Sequence, residues 1–221
     1  VPIRKHIRLQ RFASHVRVGE AGNYMAQHGF QVTAFDITEE MIAEGKRRFG
    51  EVSNLTLAVA DICDFSFNEY CFDFSFITSQ DLHLLPTVDD VAKALSCIHA
   101  HLREGGCLVL ELQIGSDESA HYPTQTFHPR APRYQDKKIW KESECRYDGQ
   151  TKQFHITQEI YVEDAQGVEH FNYSVCLQYF ERNALLAVAE KAGFGIVHEF
   201  CDRVRTPWQE GDSTWILELI K

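Results

Sequence analysis

The stretch GFQVTAFDITEEMIAEGKRRFG, residues 29–50, decides the fold. Its first part, FQVTAFDI at 30–37, is rich in β-branched and aromatic side chains and predicts a strand. The next residues change character. Thr38 can cap a helix, Glu39 and Glu40 suit the positive N-terminus, Lys46, Arg47 and Arg48 suit the negative C-terminus, and Gly50 closes it. A strand running straight into a helix is the repeating unit of an open α/β sheet. Outward from it the same alternation continues: NLTLAVAD (54–61) and FDFSFITS (72–79) predict strands, and a helix follows from about Val88 to Leu102, starting after Thr87 or Asp89. Arg103 to Gly106 predicts a turn and CLVLELQ (107–113) another strand. Nearer the C-terminus, ERNALLAVAEKAGF (181–194) places Leu185, Leu186, Val188, Ala189 and Ala192 on a helical stripe ended by Gly193, and GIVHEFCD and STWILELIK supply two final strands.

Between these halves the rhythm differs. Residues 139–180 alternate with period two, with turn signals at Asp148-Gly149 and from Asp164 to Gly167, and predict a three-stranded antiparallel meander. Phe171, Tyr173, Val175, Leu177 and Tyr179 share one face, as do Phe154, Ile156, Ile160 and Val162 on the neighbouring strand, which implies a buried side. Residues 114–136 read as a long loop, of the kind that often forms a lid. The expected organisation is therefore a core of residues 1–113 and 181–221, interrupted by an insertion at 114–180.

With 44% hydrophobic, 24% charged and 12% aromatic residues among 221, the chain can bury a proper core. Its 22 basic against 32 acidic residues, a net charge of −10, oppose broad contact with nucleic-acid phosphates or anionic lipid. No apolar run is long enough to span a bilayer, and the opening VPIRKHIRLQRF is too charged for a signal-peptide core, so a soluble cytoplasmic protein is expected. The seven cysteines are scattered and odd in number, with no C-x-x-C pair, and read as reduced packing thiols. No zinc motif accompanies the close pair His99 and His101, so no metal is expected.

Ligands of open α/β sheets bind beyond the carboxyl ends of the strands. Three features stand at such ends. Asp36 can accept two hydrogen bonds from the cis hydroxyls of a ribose, its ordinary alternative being an acid at a helix start. Asp61, beside the backbone of Ile62, can read the amino edge of an adenine, or simply form a turn. The run Thr78, Ser79, Gln80, Asp81, Leu82, His83 faces the reactive end of the same ligand, and His83 is a candidate general base if it is not merely a packed histidine.

Taken in order, GFQVTAFDITEEMI, LAVADICDF, FDFSFITSQDLHLL, AHLREGGCLVLEL, AEKAGFGIVHEF and STWILELIK resemble the class I S-adenosylmethionine-dependent methyltransferases of the small-molecule type, over nearly the whole chain from about residue 19. The resemblance implies a doubly wound, mostly parallel, seven-stranded Rossmann-like α/β sheet with an antiparallel last strand, plus the β insertion before the last helix as lid or acceptor pocket. It implies S-adenosylmethionine as cofactor, S-adenosylhomocysteine as product and a small-molecule acceptor methylated at N or O, in a monomer or homodimer that binds neither nucleic acid nor membrane. Carried onto this chain, the cofactor-binding set is Gly19, Gly22, Asp36, Ile37, Met41, Ala60, Asp61, Ile62, Thr78 and Ser79, with His83 as the catalytic candidate. His121, Tyr122, His128, Tyr134 and Trp140 are the acceptor-pocket candidates, packing being the alternative role of the aromatic ones.

The front end departs from the family. Where it has an apolar strand and a G-x-G-x-G turn, this chain reads ASHVRVGEAGNYMAQHG, with Gly19 as the last glycine of the turn or Gly22 if the helix is shorter. Only Val16 and Val18 precede it as strand-forming residues, so the expectation is a degenerate turn or residues missing at the sheet centre. Two rivals follow: a non-catalytic methyltransferase-like binding module, and a nicotinamide-dependent oxidoreductase, which the absence of G-x-G-x-x-G disfavours.

Overall fold

The structure is a computed structural model that describes residues 20–67, 72–78, 81–113 and 137–221 with side chains, and residues 11–15 and 121–127 as backbone. In chain order the elements are β1 (Arg11–His15), α1 (Glu20–Gln27), β2 (Gln31–Asp36), α2 (Glu39–Phe49), β3 (Leu55–Val59), β4 (Phe72–Ile77), a 3₁₀ turn (Asp81–Leu84), α3 (Val88–His101) and β5 (Leu102–Gln113). They continue with β6 (His121–Phe127), β7 (Lys138–Asp148), β8 (Gln153–Asp164), β9 (Gly167–Gln178), α4 (Arg182–Lys191), β10 (Gly195–Phe200) and β11 (Thr214–Ile220). These elements fall into two compact units: the described residues up to Leu82 with Thr87–Gln113 and Glu181–Lys221, and His83–Pro86 with the described residues from 121 to Phe180.

The first unit is a seven-stranded sheet in the order β10-β11-β5-β4-β1-β2-β3. β5, β4, β1, β2 and β3 run parallel, and β11 pairs antiparallel with both β5 and β10. The central strand whose absence the sequence suggested is present as β1, paired on one side with β2 and on the other with β4. RFASH, with two polar or charged residues besides its histidine, lacks the apolar run usual for an interior parallel strand, so its sequence alone predicts no strand there.

Both faces of β2 are covered. Val32 and Ala34 are buried in a cluster with Ala26 of α1 and Phe76 of β4. Phe35, of opposite parity, packs 4.8 Å from the ring of Phe65. Gly22 makes the helix contact close: a Cβ there would lie 3.3 Å from Ala34 Cβ and from Val32 Cγ1. Around β5 and β11, Leu108, Leu110, Leu112, Trp215, Leu217 and Leu219 form a fully buried core. The Thr87 side chain caps α3 by accepting from the Asp90 amide at 3.1 Å. Thr38 stands at the N-cap of α2 without a side-chain cap bond; instead its amide donates to Asp36. No helix among the described residues is long and apolar enough to cross a membrane.

The second unit is an antiparallel sheet in the order β6-β7-β8-β9. The expected meander is β7, β8 and β9, and it gains a fourth strand from the segment read as a loop. Pro123 hides β6 in the sequence, because proline cannot donate to a ladder and is tolerated only at an edge or irregularity; the pairing with β7 shifts register between Tyr122 and Gln125. The shared apolar face is realised in register, with Ile160 opposite Phe171, Ile156 opposite Val175 and Phe154 opposite Leu177. Its burial is graded: Leu177 is 8% exposed, whereas Phe171 and Tyr173 on the edge strand are about half exposed, at 51% and 50%.

Candidate active site

The sheet changes direction at β1: the chain passes from β1 to β2 on one side and reaches β4 on the other. Such a switch point leaves a crevice beyond the carboxyl ends of the strands, because the loops on either side depart in opposite directions. The ends are level. His15 is in register with Phe35, and Ser14 with Phe76. Val16–Gly19, which join β1 to α1, lie outside the described residues, so Gly19 has no described place.

Asp36 is the last residue of β2 and is 8% exposed. Its Oδ1 accepts the Thr38 amide at 2.9 Å, and its Oδ2 has no partner among the described residues. The Ala60 amide donates to the Asp36 carbonyl at 3.0 Å, which zips the ends of β2 and β3 together and sets Asp61 just beyond. Asp61 is exposed and folds back on its own turn: Oδ1 accepts the Cys63 amide at 2.8 Å and its carbonyl accepts the Asp64 amide at 3.1 Å. Ile62, 7% exposed, anchors that turn in the core.

Two carboxylates thus stand at adjacent strand ends, one sunk and one open, with Ile37 (62% exposed) and Val59 (49% exposed) beside them. The carboxylates can accept hydroxyl and amino donors, and the aliphatic side chains can flank a flat ring. Val59 went unnoticed in the sequence. The clue was the run Leu55, Leu57, Val59: the first two pack against the core cluster, while the third continues the alternation past it. Met41, Ala60 and Thr78 are half-buried, on α2 and after β3 and β4 respectively. The Cys63 thiol is pushed up to about 11, by burial first and then by the Asp61 and Asp90 carboxylates, so it stays protonated beside the turn.

Gly22 lies within α1, where its missing side chain serves the contact with β2. His83 is 5% exposed and belongs to the second unit: Nδ1 donates to the Gln178 carbonyl at 2.8 Å, and the ring lies 5.1 Å from that of Phe180. Burial holds its pKa below the usual histidine value. Trp140 on β7 stacks on Tyr161 at 5.1 Å, Tyr161 stacks on His170 at 4.7 Å, and the Lys138 ammonium sits 4.9 Å from the Trp140 ring centre. His121 and Tyr122 fall on β6, described as backbone only, and Ser79, His128 and Tyr134 lie outside the described residues.

Comparison with known proteins bears on the fold. Residues 18–106 match the family described as a methyltransferase domain. A Bacillus subtilis protein, YqeM, whose name describes it provisionally as a methyltransferase, is 24% identical over 109 residues, which make up 49% of this chain and 44% of that protein. The chain therefore spans about half the length of the curated relative it matches. A Clostridium acetobutylicum S-adenosylmethionine-dependent methyltransferase superposes with a TM-score of 0.84 at 12% identity, covering 96% of this chain and 84% of that one. An S-adenosylmethionine-bound amino pentose methyltransferase from Micromonospora echinaspora gives 0.74 at 19% identity, with coverages of 96% and 84%. A sugar N-methyltransferase from Streptoalloteichus gives 0.77 at 18% identity, with coverages of 95% and 79%. The chain has the fold of the class I S-adenosylmethionine-dependent methyltransferases, with residues 18–106 as its methyltransferase-domain match.

Proposed function

We propose that this protein transfers a methyl group from S-adenosylmethionine to the nitrogen or oxygen of a small-molecule acceptor by in-line displacement. The observation that carries the reading is the pair Asp36 and Asp61 at the zipped carboxyl ends of β2 and β3. Asp36 suits the ribose, since its Oδ2 is an acceptor without a partner among the described residues, held in place through Oδ1. Asp61 and the backbone of Ile62 suit the amino edge of adenine, with Ile37 and Val59 supplying apolar contact. When bound, S-adenosylmethionine supplies a methyl group on a sulfonium, whose leaving group is already good. The chain's share of the acceleration is then positioning and the exclusion of water, and a strong base is dispensable for an amine acceptor.

A nitrogen acceptor is the first class to test, because the fold neighbours include an amino pentose methyltransferase and a sugar N-methyltransferase. The β6–β9 unit is the proposed lid or acceptor-binding part. A second reading, a methyltransferase-like module without catalysis, is favoured by one feature: V-R-V-G at 16–19, between β1 and α1, holds a single glycine where the family has its glycine turn.

Calorimetric titration with S-adenosylhomocysteine, with NADH as control and the intact mass checked on the same sample, separates these. Micromolar binding of the first ligand alone is expected, followed by methyl-group incorporation when amine-bearing sugars are screened. Binding without incorporation into any amine or hydroxyl acceptor favours the non-catalytic module. No binding by a chain of the expected mass overturns the cofactor assignment.

A further inference from the structure

A sheet that does not close into a barrel leaves two edges, and an edge strand is a row of unpaired amides and carbonyls open to another strand. The two sheets have four edges among the described residues, β3, β10, β6 and β9. Three of them are blunted. β3 has only five residues, and β10 has six with a register shift between Ile196 and His198. β6 carries Pro123 and its own register shift. β9 has none of these protections: GVEHFNYSVCLQ runs twelve residues without proline, lysine or arginine, in unbroken register with β8 from Gly167 to Gln178. Residues of an antiparallel strand turn their amide and carbonyl alternately toward one neighbour and away from it. The Tyr179 amide donates to the Lys152 carbonyl at 2.8 Å, so the odd-numbered residues of β9 bond to β8 and the even-numbered ones face outward. Gln178 agrees, since its carbonyl accepts from His83 Nδ1 at 2.8 Å instead of from β8. That bond covers the last outward carbonyl. The amides and carbonyls of Val168, His170, Asn172, Ser174 and Cys176 have no partner among the described residues.

We propose that the open edge of β9 pairs antiparallel with β9 of a second copy of this chain, about a twofold axis at Asn172, so that two four-stranded sheets join into one of eight strands. The open positions are symmetric about Asn172. Val168 falls opposite Cys176 of the partner subunit, His170 opposite Ser174 of the partner subunit, and Asn172 opposite Asn172 of the partner subunit. Each such pair exchanges two backbone hydrogen bonds. Between them Phe171 falls opposite Tyr173 of the partner subunit. These two rings are half exposed in the single chain, and directly opposed aromatic pairs stabilise a sheet. Phe171 also stands opposite Ile160 of β8, so the apolar face continues across the junction. A second copy is the occupant that the edge itself specifies: a twofold contact presents the same groups from both sides and covers two open edges at once. The net charge of −10 opposes association, but Glu169 is the one carboxylate of β9. The twofold holds the two copies of Glu169 about 20 Å apart, well beyond the ~8 Å screening length at physiological salt.

Sedimentation of the whole chain over a range of concentrations is the test, and a mass twice the 25.4 kDa of one chain is expected at the upper end. Proline has no amide hydrogen, and Asn172 points its amide away from β8, so N172P keeps the β8 ladder and loses the central pair of the contact. It is expected to sediment as a monomer, with a melting temperature that no longer rises with concentration. The double variant F171K/Y173K decides the matter should N172P fail to fold: both positions are half exposed, and the twofold sets lysine directly opposite lysine, so a monomer is expected again. N172C reads the register. Its two copies stand with Cα atoms about 5.5 Å apart, within disulfide reach, so mild oxidation links the dimer through the introduced thiols. The wild type stays unlinked under the same oxidation, because its exposed Cys176 faces Val168 of the partner subunit. A monomeric wild type overturns the proposal and leaves the edge to a strand of another protein. A folded N172P or F171K/Y173K that dimerises like wild type overturns it as well, since the contact then lies elsewhere, and a dimer in which N172C does not link overturns the twofold at Asn172.

Discussion

Asp36→Asn is the sharpest perturbation of the proposed cofactor site. The substitution keeps the shape and an oxygen able to accept the Thr38 amide, now 2.9 Å from Oδ1, so the end of β2 and the start of α2 keep their connection. What changes is the charge and the second acceptor. A hydrogen bond to a charged group contributes about 1.5–3 kcal/mol, and the ribose offers two hydroxyl donors. Losing one such bond and weakening the other costs roughly 2–3 kcal/mol, or about 30- to 150-fold in affinity. Calorimetric titration with S-adenosylhomocysteine measures the ratio directly. The melting temperature of the free variant should stay within a degree or two of wild type, because no internal bond is lost. A dissociation constant within threefold of wild type would refute the ribose assignment; a matching drop in melting temperature would show instead that Asp36 serves the fold.

Three further outcomes follow from the same structure. Gly22→Leu places carbon where a Cβ alone already meets Ala34 and Val32 at 3.3 Å, so overpacking should cost about 2 kcal/mol and lower the melting temperature by roughly 4–8 °C; an unchanged melting curve would mean α1 does not pack on β2 as described. His83 and His99 both have pKa values held below the ordinary one, chiefly by burial. Between the folded and unfolded values the unfolded chain binds more protons, so their neutral-ring stabilisation is complete above about pH 6.5 and is lost as the pH falls below it. Melting temperatures should therefore decline on acidification below that point, less steeply in H83N, and a flat profile from pH 7.5 to 5 would contradict it. Finally, burial pushes the Cys63 and Cys107 thiols up to about 11. Mass spectrometry after brief alkylation at pH 7.5 should find the exposed Cys176 modified well before either.

The parts of this protein that were legible in the sequence are those whose signal is local. Asp36 ends β2 and Asp61 stands two residues past the end of β3, and a position at the carboxyl end of a strand with clear composition is local information. The alternation of strand and helix likewise follows from short windows. β1 escaped because RFASH lacks the apolar run of an ordinary interior strand, while its pairing with β2 and β4 joins residues 20 or more positions apart. β6 escaped because Pro123 reads as a breaker until an edge position makes it harmless.

For His83 the sequence left two readings, a base or a packed histidine. Its hydrogen-bond partner is 95 residues away, at the end of a different unit, so no window of sequence holds both ends of the bond. From composition alone, a histidine just beyond a strand end in a methyltransferase-like order suggests a base, because the strand end is local information and the buried carbonyl is not. The same holds for Trp140, read as an acceptor-pocket candidate or a packing residue, whose stack with Tyr161 and His170 involves two other strands. Chemistry carried by a strand's own end can therefore be inferred from the chain. Whether a ring is already hydrogen-bonded depends on long-range partners, which for His83 are the Gln178 carbonyl and the Phe180 ring.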